Sequence, residues 1–185
     1  MGLLSLDQDR TWVRADFAFY GLLVLALAAA TLFETPPSQA WQALGWALTG
    51  VALWTLAEYG LHRYVLHGLQ PFKRWHALHH ERPRALIATP TLLTAVLFLV
   101  FVFLPAWWLA PSWRGQAATL GVMVGYLAYI GTHHAVHQVT GQGMWLRHHR
   151  RWHALHHRPG AHACYGVSVR VWDRVFGSGE TGLRP

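Results

Sequence analysis

Four apolar stretches constrain this chain more than anything else in it. They run over 17–33 (FAFYGLLVLALAAATLF), 41–58 (WQALGWALTGVALWTLAE), 91–110 (TLLTAVLFLVFVFLPAWWLA) and 117–132 (AATLGVMVGYLAYIGT), and Glu58 is the one formal charge in all four. Runs of this length read as helices rather than strands, and 17 residues at 1.5 Å each reach about 26 Å, close to the hydrocarbon thickness of a bilayer. Composition agrees, with 53% hydrophobic and only 12% charged residues, against about 25% charged in an average soluble domain. The sequence therefore predicts an all-α integral membrane bundle of four transmembrane helices in one domain over 1–185, with Pro105 kinking or ending the third.

Charge placement gives the bundle a direction. If all four stretches cross, Arg10, Arg14, Arg63, Lys73, Arg74, Arg82, Arg84, Arg147, Arg150, Arg151, Arg158, Arg170, Arg174 and Arg184 share the side of the termini, and Arg114 alone lies opposite. A basic excess of this kind marks the cytosolic face. The termini are thus expected in the cytosol, with a bacterial inner membrane preferred to the endoplasmic reticulum. The leader carries Asp7, Asp9 and Asp16 and lacks the positive n-region of a cleaved signal peptide. The net charge of +7 is explained by basic residues facing anionic headgroups, each contributing about 1 kcal/mol. No nucleic-acid recognition motif accompanies it, so no nucleic-acid partner is expected. A single cysteine, Cys164, excludes an internal disulfide and any multi-cysteine metal site.

The 14 histidines are the other anomaly, and most of them are ordered. The string RWHALHH occurs at 74–80 and again at 151–157. Each half of the chain reads as two apolar segments, a histidine pair just past the second, and then RWHALHH. Such duplication places a functional centre between the halves. His76, His79 and His80 stand at i, i+3 and i+4 and share one helix face, as do His153, His156 and His157, while His133 and His137 are i and i+4. His62 and His67 are i and i+5, about 140° apart on an ideal α-helix, and converge only if the helix ends or bulges.

Imidazole ligates Zn, Cu, Fe and Ni. Ten histidines in four clusters exceed the needs of one metal, whereas two metals with four or five imidazoles each use the count. The two heptapeptides are expected close together on the cytosolic side, sharing a pair of metals, one string pairing with the opposite half's helix-end histidines, with Arg74 and Arg151 pointing outward to headgroups or hydrogen-bonding the cap because a fixed cation beside two metals is repelled. His134, His148, His149 and His162 fall outside the pattern, in surface or supporting roles. Glu58 either hydrogen-bonds a ligand imidazole or ends its helix in solvent. Asp173 is expected to pair with a nearby arginine. Trp75 and Trp152 are expected at a tunnel mouth or as interfacial anchors.

The ordered motifs, H-x4-H in LHRYVLH, H-x2-H-H in WHALHH, H-x3-H in THHAVH and a second H-x2-H-H followed by YGVSVRVWDRVFGS, resemble the fatty acid hydroxylase and sterol desaturase superfamily of integral-membrane di-iron oxygenases. The resemblance covers roughly 58–178, and EYGLHRYVLH, YIGTHHAVH and 145–178 are most similar to the fatty acid 2-hydroxylase branch. It implies metal binding and catalysis by His62, His67, His76, His79, His80, His133, His137, His153, His156 and His157. His134 replaces His133 if the second-half register shifts by one. Glu58, His134 and Asp173 are the possible supporting residues around the ligands.

The resemblance also implies a cytosolic helical cap holding two iron ions, with zinc as a possible substitute, over a tunnel for a membrane lipid, and O2 as co-substrate. Many fatty acid 2-hydroxylases carry a fused cytochrome-b5-like domain for which these residues leave no room, so electrons are expected from a separate cytochrome-b5-like or ferredoxin-type donor. The short linker from His67 to His76 shrinks the cap and keeps carotenoid ring hydroxylation and lipid or sterol desaturation in view. A histidine-rich metal transporter is disfavoured because transport calls for polar groups near the midplane of the spans.

Overall fold

The structure is a computed structural model that describes residues 5–110 and 112–179. Asp9 starts the first helix: its Oδ1 accepts the Thr11 and Trp12 amides at 2.8 and 2.9 Å, meeting two donors that a helix start leaves open. Helix α1 then runs Arg10–Glu34, and a 3-10 turn at Pro37–Gln39 leads into α2, Ala40–Gly60. The backbone continues as a π-helical segment, Leu61–Leu66, and after a turn forms α3, Phe72–Glu81. The chain returns through α4 (Thr91–Phe98), a π-helical Leu99–Phe103 and α5 (Leu104–Leu109), which follow one another without a break. Then come α6 (Trp113–Gln138), α7 (Met144–His156) and the short α8 (Val171–Val175).

Among the described residues the only β feature is a lone antiparallel bridge between Asp7 and Ile87, so the architecture is all-helical. Pro105 neither ends the third apolar helix nor needs to. It sits in the first turn of α5, directly after the π-helical segment, where the i→i+5 pattern is closed by the Leu104 amide on the Leu99 carbonyl and the missing proline N–H is accommodated.

The chain divides into two compact units. Of the described residues, one takes those up to Trp54 and within Leu86–Leu127; the other takes Thr55–Ala85 and those from Ala128 onward. In the first unit an aromatic knot forms the interior: Tyr20, fully buried, meets Tyr126 edge-on at 4.8 Å, and Trp54 and Phe98 close on the same Tyr126 ring at 5.3 and 4.8 Å. Helices α2 and α6 approach at glycines. A Cβ on Gly121 would fall 1.9 Å from the Ala47 carbonyl oxygen and one on Gly50 2.1 Å from that of Ala118, so only a residue without a side chain permits this backbone distance.

Two helical stretches among the described residues, Arg10–Glu34 and Thr91–Leu109, are long and apolar enough to cross a membrane. Between their ends both stretches expose large apolar side chains, with Phe33 90% and Trp108 87% exposed. Helices α2 and α6, which occupy the second and fourth predicted spans, have 21 and 26 residues but carry more polar positions, among them Glu58, Gln116 and the histidines of α6.

Candidate metal centre

The second unit gathers the histidines, and local backbone geometry explains how. In the π-helical segment the His67 amide bonds the His62 carbonyl at 3.2 Å. An i→i+5 bond sets residue i+5 above residue i, so the pair that an α-helix would splay apart brings its ring centroids to 5.3 Å. In α6 the ordinary helical period serves His133 and His137, whose rings lie 4.8 Å apart. Helices α3 and α7 carry the two RWHALHH strings, each with its three imidazoles on one face.

The result is two groups. His62, His67, His76, His80 and His156 form the first, and His79, His133, His137 and His153 the second; within each, the potential ligand nitrogens all lie within 4.8 Å of one another. His157 adjoins the second, with its Nε2 3.0 Å from that of His153, as His80 Nε2 is 3.0 Å from that of His76. The ten histidines singled out by the sequence thus converge, and the two heptapeptides lie together: the rings of His80 and His157 stack at 4.1 Å.

The pairing differs from the sequence expectation. Each heptapeptide stays with its own half's helix-end pair and sends only its middle histidine across, His156 to the first group and His79 to the second. The reason is steric: the first and third members of a triplet are i and i+4 and superpose on one side, leaving the i+3 ring displaced towards the other group. At the ambiguous register in α6 it is His133, not His134, that enters the group.

The rings are held neutral. Burial in the first place, and the neighbouring imidazoles in the second, push His62 and His157 down to about 3, His67 and His137 to about 4 and His79 to about 2. Their Nε2 atoms face one another. His76 Nε2 meets those of both His62 and His80 at 3.0 Å, and His153 Nε2 meets those of His137 at 2.8 Å and His157 at 3.0 Å. One proton cannot bridge three such nitrogens, so lone pairs confront each other. A cation among them converts that repulsion into ligation, and the donor set, all neutral imidazole, suits iron, zinc, copper or nickel. On the far side, Nδ1 of His62 donates to the Tyr165 carbonyl at 2.5 Å and Nδ1 of His156 to the Ala163 carbonyl at 3.0 Å. A carbonyl only accepts, so both rings keep their Nε2 lone pair for a ligand bond.

The supporting residues depart from expectation. Glu58 is buried, not solvated at a helix end, and its carboxylate accepts the Val167 and Ser168 amides, both at 2.8 Å, together with the Ser168 hydroxyl. Asp173, expected beside an arginine, is fully buried against the backbone at 165–166 and accepts the Tyr165 and Gly166 amides and the Ser178 hydroxyl, which take both its oxygens. His134 stays outside both groups.

Trp152 is no interfacial anchor; it is buried against Ala163 and Cys164 with the Arg170 guanidinium 4.7 Å over its ring. Trp75 is half-buried beside Phe72. Arg74 and Arg151 are exposed, whereas Arg150 turns back on the carbonyls of Val136, Val139 and Gly141 at the end of α6. The Ala163 and Tyr165 carbonyls escaped the sequence reading because a backbone acceptor has no side-chain signature. Their only trace is the YGVSVRVWDRVFGS run that follows the histidines.

Apolar helices with ten converging imidazoles define a membrane-type helical protein organised around a histidine-rich candidate metal site. A model of the fatty acid hydroxylase family matches residues 47–178, and the chain belongs to that family. It is 32% identical over 144 residues to a dihydroceramide fatty acyl 2-hydroxylase of Arabidopsis thaliana, covering 70% of this chain and 58% of the relative. It is 29% identical over 154 residues to a ceramide very long chain fatty acid hydroxylase of Schizosaccharomyces pombe, covering 74% and 42%, and 27% identical to the fatty acid 2-hydroxylase of Mus musculus, covering 72% and 39%. The chain therefore spans about half the length of these relatives. A solved structure of full-length scs7p, in which only the hydroxylase domain is visible, shares the fold, with a TM-score of 0.79 over 91% of this chain and 66% of that one at 24% identity.

Proposed function

We propose that this protein is a membrane-bound dimetal oxygenase that hydroxylates a C–H bond of a lipid, with a fatty-acyl chain, free or in a sphingolipid-like lipid, as the preferred substrate. The observation that carries the reading is the pair of adjacent imidazole groups in a chain of the fatty acid hydroxylase family. His62, His67, His76, His80 and His156 would hold one ion, and His79, His133, His137, His153 and His157 the other. Iron is the ion of choice, since zinc has no redox chemistry; when bound it supplies the oxidising power that an unactivated C–H bond requires.

The reaction balances as R–H plus O2, two electrons and two protons giving R–OH plus water. Electrons come from a separate cytochrome-b5-like or ferredoxin-type donor. The chain's own residues orient and protect: the neutral rings keep their lone pairs at neutral pH, and the carbonyls of Ala163 and Tyr165 fix two of them. A single domain with four spans and a cytosolic site completes the proposal, with α2 and α6 crossing beside the two most apolar helical stretches. The basic excess on the side of the histidines supports this orientation. The matched relatives named above are eukaryotic and lend no support to a bacterial inner membrane over the endoplasmic reticulum.

Lipid extracts of cells with and without the expressed protein, compared by mass spectrometry under 18O2, test the reading. One added 18O on acyl chains is the expected result, lost in His79→Ala and His156→Ala. Loss of two hydrogens would make the protein a desaturase, an added oxygen on carotenoids would redirect the substrate, and metal flux into proteoliposomes without oxygen consumption would overturn the oxygenase reading.

A further inference from the structure

The two histidine groups are equipped differently on the side away from the ligand nitrogens. In the first, Nδ1 of His62 and of His156 each donate to a backbone carbonyl. Around the second, Nδ1 of His79, His153 and His157 are buried and have no hydrogen-bond partner among the described residues.

Both carbonyls come from one loop, and two carboxylates hold it. Asp173 accepts the amides of Tyr165 at 2.9 Å and Gly166 at 2.8 Å, and Glu58 accepts the next two, Val167 and Ser168, at 2.8 Å. Four consecutive amides thus end on two buried carboxylates, in bonds that the charge strengthens. Serine hydroxyls tie the clamp further: Ser168 to Glu58, and Ser178 to both Asp173 and the Tyr59 hydroxyl, each at 2.8 Å in the latter pair.

The loop is shaped for this. Cys164, between the two residues whose carbonyls accept from the imidazoles, has a φ of 61°, the left-handed region that a residue with a Cβ adopts only when its surroundings enforce it. At Gly166 a Cβ would fall 2.0 Å from the Val169 oxygen and 2.9 Å from Asp173 Oδ2, so the close approach of carboxylate to backbone requires glycine.

Resting on the dimetal reading, we infer that Glu58 and Asp173 are positioning residues. They act through the 163–168 loop, press the Tyr165 and Ala163 carbonyls against His62 and His156, fix the tautomer of both rings, and make the first histidine group the tighter of two unequal metal sites. An imidazole whose Nδ1 proton is anchored presents its Nε2 lone pair without first losing a proton or turning. The rings of the second group have no such anchor at His79 and His153, and pay for orientation on binding. Loss of an outer hydrogen-bond partner typically weakens a metal site about 10–100-fold.

Stepwise addition of Co2+ to the whole 185-residue chain, stripped of metal in detergent, tests this by bound-metal count and visible absorption. The wild type is expected to bind two ions in resolved steps, the first about 10–100-fold tighter. Glu58→Ala should weaken the first step by that factor and leave the second where it was, merging the two. Asp173→Asn, which sets an amide donor against the loop's own N–H groups, should do the same. Glu58→Gln, which keeps the oxygen facing the two amides, should restore most of the difference. Ser168→Ala removes one hydroxyl and should weaken the first step by a smaller factor while folding normally, so it carries the test if the larger variants unfold. Equal weakening of both steps, or none, in variants with wild-type melting behaviour would overturn the positioning role. Two equally tight steps in the wild type would overturn the inequality. A wild type that binds fewer than two ions would instead remove the dimetal reading on which the inference stands.

Discussion

The two copies of RWHALHH have seven residues in common and almost nothing else. In α3 the first copy buries only His79, with Trp75 left half-exposed. In α7 the second copy buries Trp152, His153 and His156. The difference lies downstream. After the second copy the chain doubles back, packs Ala163 and Cys164 on Trp152 and lays Arg170 over its ring; after the first it leaves for α4. The same string therefore makes the same three-histidine helix face in both places, while the following segment decides how deeply that face is buried.

The largest effect should come from the residues in which the copies behave alike. His79 and His156 are the middle members of their triplets, the most buried of each (4% and 0% exposed), and the ones that cross to the other group. Replacing either by Ala is expected to abolish hydroxylation and lower bound metal from two ions towards one, a loss beyond the roughly 10–100-fold cost of an outer hydrogen bond. Metal analysis alongside 18O incorporation checks it, and full activity in either variant would break the symmetry of the exchange.

Next is a change that should not distinguish the copies at all. Gly121→Leu forces α6 away from α2, the helices that lead into both helix-end histidine pairs, and overpacking of this kind costs at least about 1–3 kcal/mol. A lower melting temperature with equal loss of both metals is expected. The copies should separate again at tryptophan. Trp152→Ala empties a buried site, at about 3–5 kcal/mol, and Trp75→Ala, beside Phe72 and half-exposed, should cost less than half as much. Equal shifts in thermal unfolding would mean that the burial difference carries no energy.

The smallest effect is with pH. Burial pushes His67 and His137, one from each half, down to about 4, below the roughly 6.5 of an unfolded imidazole. As pH falls the unfolded chain takes up protons first, so the stability these two rings contribute to the metal-free protein is fully present above about 6.5 and lost between about 6.5 and 4, while the more deeply depressed His62, His157 and His79 carry the loss further down. Metal binding weakens in the same direction, because protons compete for the ligand nitrogens. His67→Gln and His137→Gln should each flatten the melting temperature between pH 7 and pH 5 by a similar amount, since the two rings are similarly depressed; unequal flattening would show that the surroundings reach these positions as well.

Much of this was legible in the chain. Hydrophobic runs nearly free of charge pointed to helices, and the structure has helices over all four of them. The i, i+3, i+4 spacing put each triplet on one face, because helical periodicity is a local property carried within four or five residues. The number of histidines in order pointed to two groups rather than one. What the spacing of His62 and His67 left open, an α-helix could not have resolved; the π-helical turn that aligns them is a choice of backbone bonding that no side chain announces.

The sequence by itself determined the helices, their apolar faces and which ten imidazoles face one way. Tertiary structure alone decided which histidine crosses to which group, that Glu58 and Asp173 grip a loop rather than an imidazole or an arginine, and that one copy of an identical string is buried where the other is half-open. Each of these depends on contacts between residues far apart in the chain, 110 positions in the case of Glu58 and Ser168, and on backbone amides and carbonyls, which every residue but proline offers in the same form. A periodic pattern records what a residue presents, whereas its partner is set by where the rest of the chain can come to rest.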